Sequence, residues 1–402
     1  MQNSNPAFKN EFVALMASLM SIVALTIDAL LPALPNIAED LNITDPKSTQ
    51  WLITMIFLGI GFGQLIFGPL SDSYGRKPIV YIGFFIFIIS SIICVTTKNF
   101  EMMLFARVLQ GVGLSAPRTI SIAMVRDSFS GDFMAKLLSV IVMFFILVPV
   151  IAPTFGQILL EWFDWRAIFN ANLIFGSVVM LWFWKRQPET LDKSKRIKFS
   201  PSIFITGTKE FFKHKEAVAF TLTSGFITGS FMVYLSTSQQ IYQDQYNLGE
   251  LFPYFFASTA LSIGLSTFTN SRLVMRFGSR NIAFYATVAY FLISILYVIL
   301  FISGNNPSIG VLISFFLIQF FAVGFIFGNY RSLAMEPLGH IAGIGAAING
   351  FISTVMAVPI ANYIGSFVHT SVLPLFIGFS VFGLLSLITF YVLKYSTQRK
   401  LV

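Results

Sequence analysis

The stretch Gly68–Pro78 reads GPLSDSYGRKP and is a short polar interruption between two long apolar segments. One segment, Trp51–Gly68, runs into it, and the other, Ile79–Thr96, runs out of it. Because the connection is so short, the two segments must be antiparallel neighbours. Gly75 can adopt the positive φ of a tight turn, and Pro78 stands at the start of the next helix, where its missing N–H costs nothing. The stretch therefore predicts a helical hairpin.

The composition of the whole chain indicates a polytopic helical membrane protein. Of its 402 residues, 55% are hydrophobic and 11% are charged, whereas a soluble domain carries about 25% charged residues. A helix that crosses a bilayer needs about 20 apolar residues. The sequence predicts an all-α protein with twelve transmembrane helices, at residues 12–34, 50–70, 78–96, 101–124, 135–160, 166–186, 217–239, 251–271, 281–302, 309–331, 342–367 and 372–393.

The basic residues predict the orientation of these helices. With twelve spans, both termini lie on the side of the Gly68–Pro78 loop, and 21 of the 26 Lys and Arg residues fall on that side. Only Lys47, Lys98 and Arg166 fall on the opposite side. Because short loops rich in Lys and Arg stay in the cytoplasm, we expect both termini and the loop to be cytoplasmic.

One long polar connection, residues 187–216, divides the chain into two parts of similar length. We expect a six-helix bundle at 1–186, a cytoplasmic linker, and a second six-helix bundle at 217–402. The linker is rich in Lys and Arg, which are attracted to anionic lipid headgroups. Within it, Ile203–Phe212 is predicted to form a short interfacial helix.

An internal repeat supports the division into two halves. The segment Arg272–Arg280 follows the eighth predicted span as the Gly75 turn follows the second, and Gly278 stands 203 residues after Gly75. Met275 occupies the position of Asp72, so the acid is absent from the second copy. Parallel repeats of this kind build transporters whose site lies near the bilayer midplane, between the halves.

Three ionisable residues lie well inside the predicted spans, away from the span ends: Asp28, Arg107 and Arg118. Such residues mark functional sites in membrane proteins. Asp28 lies six residues before the outer end at Leu34, and Arg107 lies six residues after the outer start at Glu101. At ~1.5 Å per residue, both lie about 9 Å below the outer edge. We therefore expect Asp28 and Arg107 to pair in a cavity and to couple proton binding to transport.

Purely structural roles for these residues are the alternatives. Asp28 is also compatible with a structural acid in a water-filled vestibule. Arg107 is also compatible with a brace that holds the fourth span through backbone carbonyls. Arg118 lies closer to the cytoplasmic end, where a long side chain reaches the interface, and is expected to be structural.

The stretch Gly68–Pro78 resembles the loop signature of the major facilitator superfamily, G-x-L-(S/A)-D-x-x-G-R-(K/R). That resemblance implies a twelve-helix transporter with two pseudo-symmetric halves. It also implies that the motif residues help to hold one gating state; they are Gly68, Asp72, Gly75, Arg76 and Lys77.

Two further spans carry motifs of the same superfamily. Arg107–Gly113 resembles the R-x-x-Q-G-x-G element, in which the arginine is tied to proton coupling. The fifth span resembles the antiporter signature G-x-x-x-G-P-x-x-G-G through Pro149, Pro153 and Gly156. Glycines of the signature are replaced here, by Ala152 before Pro153 and by Gln157 after Gly156, which leaves the direction of transport open. Pro and Gly in such a helix permit bending and close helix contact.

Other stretches resemble the Bcr/CflA branch of drug:proton antiporters. Asp28–Pro35 has the form D-x-x-L-P-x-(L/M)-P, and Pro149–Gly156 has the form P-x-x-A-P-x-x-G. Ala334–Gly343 and Trp165–Phe169 are similar to the branch's connection between the tenth and eleventh spans and to the start of its sixth span. The resemblance implies a monomer in a bacterial inner membrane that exports hydrophobic drugs in exchange for protons.

The sequence therefore predicts a proton-coupled efflux antiporter for small amphipathic molecules that works by alternating access. Drug pockets are mostly apolar with few polar anchors. The residues expected to line the substrate cavity are Gln110, Phe144, Phe145, Tyr234, Gln319, Asn329 and Asn349. An alternative is a proton-coupled carrier of one metabolite or siderophore, in either direction, with Arg107 as the anchor of an anionic cargo. A non-transporting sensor or structural membrane protein is a third alternative.

Several other classes of function are not expected. The single cysteine, Cys94, cannot form an internal disulfide, and the histidines His214, His340 and His369 are scattered without metal-ligand spacing. No nucleophile–base set or phosphate-binding loop points to an enzyme. The net charge of +8 forms no basic stripe of the kind that binds nucleic acid. We therefore expect no metal and no cofactor apart from a proton gradient, with a small-molecule substrate, protons and the lipid bilayer as partners.

Overall fold

The computed structural model describes residues 6–398. Residues 1–5 and 399–402, which belong to the predicted cytoplasmic termini, lie outside the described residues. The first seven α-helices are α1 (Pro6–Asp28), α2 (Leu34–Asp40), α3 (Trp51–Tyr74), α4 (Arg76–Thr96), α5 (Phe100–Ser128), α6 (Gly131–Trp162) and α7 (Arg166–Arg186). The next seven are α8 (Ser202–Lys213), α9 (Lys215–Gln239), α10 (Phe252–Phe277), α11 (Ser279–Leu300), α12 (Ile309–Met335), α13 (Ala342–Gly365) and α14 (Leu373–Gln398).

The predicted all-α membrane architecture is confirmed. Within the described range, eleven helical stretches are long and apolar enough to cross a membrane. One of them, Ile309–Gly365, contains both α12 and α13, which are separated by the 3₁₀ segment Glu336–Ile341. Each of these two helices is longer than the roughly 20 residues that a span requires, so twelve helices correspond to the twelve predicted spans. No β-strand occurs between residues 6 and 398.

The polar stretch that begins at Gly68 is mostly helical, which corrects the predicted loop. Helix α3 continues through Pro69 to Tyr74, and α4 begins at Arg76. Only Gly75, with φ of +105°, separates the two helices. The polar residues after Gly68 did not require the helix to end, because the last turns of a membrane helix extend beyond the hydrocarbon. Pro78 lies in the first turn of α4, as its missing N–H predicts.

The chain forms two compact units, Met1–Ile203 and Phe204–Val402. The division falls inside the predicted linker at 187–216, and α8 corresponds to the interfacial helix predicted there. Gly207 and Phe211 of α8 are buried, whereas Ile205 is exposed. This amphipathic pattern is typical of a helix that lies along a surface.

In the first unit, helices α3 and α5 approach each other backbone to backbone. A Cβ atom built on Gly59 would lie 2.0 Å from the carbonyl oxygen of Val108, and one built on Gly111 would lie 2.0 Å from that of Ile56. Only glycine fits at such contacts, which are typical of membrane helix interfaces. This contact holds Arg107, one turn before Gly111, against α3.

In the second unit, an aromatic cluster fills the space between α9, α10 and α12. The ring of Tyr234 lies 4.5 Å from that of Phe320, 5.1 Å from that of Phe316 and 6.0 Å from that of Phe256, measured between centroids. Aromatic contacts of this kind bury large apolar areas. The cluster therefore gives several of the 46 phenylalanines of the chain a role in helix packing.

Candidate functional site

Asp28 stands at a break in the first membrane-spanning stretch. Helix α1 ends at Asp28, and the chain continues through a 3₁₀ turn at Leu31–Ala33 into the short helix α2. The predicted span 12–34 is therefore not one helix, because Pro32 and Pro35 cannot donate the bonds that would extend α1. Asp28 is 5% exposed. Among residues 6–398, no hydrogen bond or ion pair reaches its carboxylate.

Helix α6 passes directly against this break. A Cβ atom built on Gly156 would lie 2.0 Å from the carbonyl oxygen of Ala29 and 3.2 Å from Cγ of Pro32. Helix α6 runs without interruption through Pro149 and Pro153. The predicted antiporter motif therefore contacts the chain immediately after Asp28, at a position that only glycine can occupy.

Arg107 is fully buried and binds the backbone of two neighbouring helices. Its Nε donates to the carbonyl oxygen of Leu52 at 2.7 Å, and its Nη1 donates to that of Thr26 at 3.3 Å. Nη1 also donates to Oε1 of Gln110 at 2.9 Å. Nη2 has no hydrogen-bond partner within the described part of the chain. Arg107 thus ties α1 and α3 to α5.

The predicted ion pair between Asp28 and Arg107 is not formed among the described residues. Asp28 and Arg107 would lie at the predicted matched depth only if the first span were one continuous helix. Because α1 ends at Asp28, the carbonyl of Thr26 belongs to the last turn, whose oxygens lack intrahelical partners. That free oxygen accepts a hydrogen bond from the guanidinium of Arg107. This contact agrees with the alternative interpretation of Arg107 as a brace that binds backbone carbonyls.

Gln110 extends this network to helix α4. Its Nε2 donates to Oγ of Ser91 at 2.9 Å, while its Oε1 accepts from Arg107, and its side chain is fully buried. The ring of Phe169 lies 5.8 Å from the guanidinium carbon of Arg107, within the range of a cation–π contact. Arg107 is therefore held in one orientation from several sides.

A second cluster surrounds Arg76 of the predicted gating motif. Its Nε and Nη2 donate to the carboxylate of Asp127 at 2.8 and 3.3 Å. Nη1 donates to Oγ of Ser71 at 2.8 Å and to the carboxylate of Asp72. Arg76 is only 5% exposed. A forked guanidinium held by two carboxylates is among the strongest polar contacts in proteins.

Glu189 completes this cluster by capping helix α4. Its carboxylate accepts from the backbone N–H groups of Arg76 and Lys77, each at 3.0 Å. A carboxylate at a helix N-terminus pairs with unsatisfied N–H groups and with the positive end of the helix dipole. A Cβ atom built on Gly75 would lie 2.7 Å from Oε2 of Glu189. Gly75 is therefore required both for its positive φ and for the space that this carboxylate occupies.

Asp127 and Glu189 were not among the predicted site residues. Asp127 follows Arg126 in the last turn of α5, and Glu189 follows α7 closely, so both acids fall on the side of the membrane that was predicted for the motif. Their predicted location on the same side of the membrane as the motif was the signal that the sequence offered. It did not select these two acids, because the choice depends on how α5 and the segment after α7 pack against α4.

The internal repeat did not preserve the cluster. Gly278 ends α10 with φ of +77°, as Gly75 ends α3. Met275, at the position of Asp72, is 88% exposed, and Arg280 pairs with Glu216 instead. The two units therefore share the turn, but only the first carries the carboxylate cluster.

The polar residues predicted for the substrate cavity are buried and bonded within the second unit. The hydrogen bonds join Tyr234 to Thr259 at 2.8 Å, Gln319 to the carbonyl of Tyr290 at 3.3 Å, Asn329 to Asn270 at 2.8 Å, and Asn349 to Thr221 at 2.6 Å. In the first unit, Phe144 is exposed and the ring of Phe145 lies 6.0 Å from the guanidinium carbon of Arg118. These contacts tie helices together, and the cavity assignment stays a prediction.

Comparison with known proteins identifies the family. A model of the Major Facilitator Superfamily matches residues 16–361. The "Uncharacterized MFS-type transporter YdgK" of Bacillus subtilis (strain 168) is 31% identical over 370 residues, which cover 90% of each chain. The "Bicyclomycin resistance protein homolog" of Haemophilus influenzae is 26% identical over 397 residues, which cover 97% of each chain.

A solved structure confirms the expected fold. The crystal structure of the human organic anion transporter MFSD10 (TETRAN) matches with a TM-score of 0.71 at 17% identity, and the match covers 96% of this chain and 99% of that one. At this identity the likeness concerns the fold alone. The chain therefore belongs to the major facilitator superfamily of membrane transporters, and its similarity to a bicyclomycin resistance protein homolog agrees with the Bcr/CflA-type branch that its motifs resemble.

Proposed function

We propose that this transporter is a proton-coupled efflux antiporter for small amphipathic molecules that works by alternating access. The observation that carries the proposal is Asp28, a carboxyl group buried at a helix break without a partner among the described residues. The name of the Haemophilus influenzae relative supports a drug-like cargo. We further propose that the protein works as a monomer in a bacterial inner membrane, with both termini in the cytoplasm, and that it needs no cofactor beyond a proton gradient.

Asp28 is the proposed proton carrier. A carboxylate that is buried without a partner is costly, so Asp28 is held as the neutral acid in this conformation. When the site opens to the periplasm, water reaches Asp28, which takes up a proton as substrate leaves. Neutral Asp28 permits the change to the inward-facing state. There, substrate binds and Asp28 releases its proton to the cytoplasm. The membrane potential contributes about 2.3 kcal/mol per charge per 100 mV.

Arg107 is proposed to couple this protonation to helix movement. Through Thr26 it holds the last turn of α1, two residues before Asp28. Its Nη2 retains an N–H group without a partner in the described residues. We propose that a rearrangement at the end of α1 brings that N–H group and an ionised Asp28 together. The charge on Asp28 would then favour one arrangement of α1 over the other.

The cluster around Arg76 is proposed to hold one gating state. Helix α4, the end of α3 and the end of α5 meet there through Asp72 and Asp127. Breaking these partly buried ion pairs costs less than the about 3–5 kcal/mol of a fully buried pair, because water screens the exposed carboxylate of Asp72. A conformational change that separates these helices must replace those contacts, so the cluster favours the state in which it is intact.

The test is transport in proteoliposomes with an imposed pH gradient and recorded internal pH. Wild type, Asp28→Asn and the control Asp164→Asn would be compared over a panel of drugs and metabolites. Asp164 is exposed in the connection between α6 and α7, so its substitution removes an acid without touching the site. We expect hydrophobic drugs to drive proton counterflow in wild type and control, and at least a tenfold loss in Asp28→Asn, or about 1.4 kcal/mol. Equal counterflow in all three proteins would contradict the role of Asp28.

A second candidate function is a proton-coupled carrier of one metabolite or siderophore, in either direction. The observation that favours it is Arg107, a fully buried guanidinium with an unpartnered Nη2, which is suited to hold an anion. In the same assay, an anionic metabolite would then move together with protons, and none of the drugs would drive proton flux. Arg107→Gln would abolish that flux, whereas a drug exporter would depend first on Asp28.

A further inference from the structure

Three residues with metal-ligating side chains lie close together in the second unit. Glu210 belongs to α8, and His214 lies between α8 and α9. His340 lies in the 3₁₀ segment Glu336–Ile341, between α12 and α13. The two histidines are far apart in the sequence, which is why their spacing carried no metal signal. The fold brings the three side chains together.

The three ligand atoms have the spacing of a coordination site. Oε1 of Glu210 lies 3.5 Å from Nε2 of His214 and 3.5 Å from Nε2 of His340. One ligand atom from each residue lies within 4.8 Å of the other two. With metal–nitrogen and metal–oxygen bonds of about 2.0–2.2 Å, the ligands of a tetrahedral zinc ion stand about 3.4 Å apart. The distances to Glu210 match that value.

These distances are too long for ordinary direct hydrogen bonds. An N–H···O bond normally measures about 2.7–3.2 Å. Nε2 of His214 is buried and has no hydrogen-bond partner among the described residues. The rings of His214 and His340 are tilted by 59°, with centroids 5.7 Å apart, so they do not stack face to face. Without a metal, these contacts are ion pairs only when the histidines are protonated. With neutral histidines, a separation of 3.5 Å is the spacing of two ligands that share one ion placed to the side of the line joining them.

The surrounding residues prepare Glu210 as a ligand. Its second oxygen, Oε2, accepts from Nζ of Lys213 at 2.8 Å, which leaves Oε1 for the histidines. Partners of this kind orient metal ligands. Lys213 is also a nearby positive charge, which moderates the affinity for a cation.

Helix α8 is held against this region independently of any ion. A Cβ atom built on Gly207 would lie 2.6 Å from Cγ1 of Ile344, so α8 packs closely on α13. The three ligands are thus positioned by packing before a metal binds, and little ordering entropy is lost on binding. The side chain of His340 is 53% exposed, which leaves one face of the group open to water.

We propose that Glu210, His214 and His340 bind a divalent transition metal ion, with Zn²⁺ as the best fit, and that the ion fastens α8 to the connection between α12 and α13. Two imidazoles and one carboxylate suit zinc, and the open face provides the fourth position for water. The site lies within the second unit and is distinct from Asp28, Arg107 and the Arg76 cluster. A bound ion would stabilise the C-terminal end of the linker by joining it to the connection between α12 and α13.

The test is metal binding to the full-length protein in detergent. The protein is purified through a tag without histidine, stripped with a chelator and dialysed. Zn²⁺ is then titrated by calorimetry, and Co²⁺ is titrated by absorption, which reports nitrogen and oxygen ligation directly. We expect about one equivalent of either metal. Loss of a ligand should weaken binding by at least tenfold, since even outer partners contribute about 10–100-fold.

The variants are His340→Ala, His214→Gln and Glu210→Gln, with His369→Ala as the matched control. His369 is the remaining histidine and lies near Ser366, outside the group. Each variant is checked for monodispersity and helix content, and the half-exposed His340 is the substitution that disturbs packing least. Reduced binding in all three variants and unchanged binding in the control support the proposal. Equal binding in His340→Ala and wild type, or no saturable binding in wild type, would overturn it, and neither result depends on transport.

Discussion

At the scale of single residues, Arg107 shows how a buried charge can be satisfied without an opposite charge. Its guanidinium binds the carbonyls of Leu52 and Thr26 and the side chain of Gln110. Hydrogen bonds that involve an ionised donor are about twice as strong as neutral ones. The planar fork of donors matters here, because a single ammonium group cannot reach three acceptors on different sides.

Arg107→Lys is therefore expected to behave as a loss of function, although it keeps the charge. Each buried carbonyl that is left unpaired costs about 1–3 kcal/mol. We expect a lower unfolding temperature in detergent and at least a tenfold lower transport rate, or about 1.4 kcal/mol. Arg118→Lys, on the same helix, is the control and should stay close to wild type. Full activity and stability in Arg107→Lys would mean that the charge alone suffices.

At the scale of elements, the turn between α3 and α4 combines two constraints at one glycine. The positive φ of Gly75 is one, and the contact with Glu189 is the other. The internal repeat separates them, because Gly278 has a positive φ of +77° but a Cβ atom built there meets nothing within 4 Å. In the first unit, the Gly75 turn therefore brings the N-terminus of α4 into contact with the carboxylate of Glu189.

Gly75→Ala and Gly278→Ala form a matched pair of substitutions. Both introduce a side chain at positive φ, which costs about 1–2 kcal/mol. Gly75→Ala must also displace Glu189, which removes a cap with a contribution of about 0.5–2 kcal/mol. Thermal unfolding in detergent should show a larger loss for Gly75→Ala, accompanied by reduced transport. Equal losses in the two variants would show that the Glu189 contact contributes nothing.

At the scale of the whole molecule, the distribution of Lys and Arg predicts the orientation of the chain in the membrane. The one cysteine, Cys94, is buried, so the wild-type chain is a host with low background for cysteine labelling. Ser194 lies exposed in the linker, and Ser303 lies exposed between α11 and α12. These two serines fall on opposite sides of the predicted topology.

Labelling of Ser194→Cys and Ser303→Cys with a membrane-impermeant maleimide tests this orientation. We expect Ser303→Cys to react in intact cells and Ser194→Cys to react only after the membrane is permeabilised, because the basic linker stays inside. The unmodified chain measures the background from Cys94. Reaction of Ser194→Cys in intact cells would reverse the assigned orientation.

The sequence by itself determined the features that depend on local composition. Long apolar runs defined twelve spans, because each must cover the bilayer thickness. The Gly75 turn and the short amphipathic helix α8 were also predictable, since both follow from local residue types. The motifs Gly68–Pro78, Arg107–Gly113 and Pro149–Gly156 indicated the family, because each is a short pattern of neighbouring residues.

Tertiary structure alone decided which side chains meet. Arg76 binds Asp127 and is capped by Glu189, Arg107 binds the carbonyl of Thr26 instead of Asp28, and His340 joins Glu210. These contacts depend on the rotation and depth of each helix and on where α1 ends. Helix rotation and depth are set by packing against neighbouring helices, which the apolar character of a span does not specify.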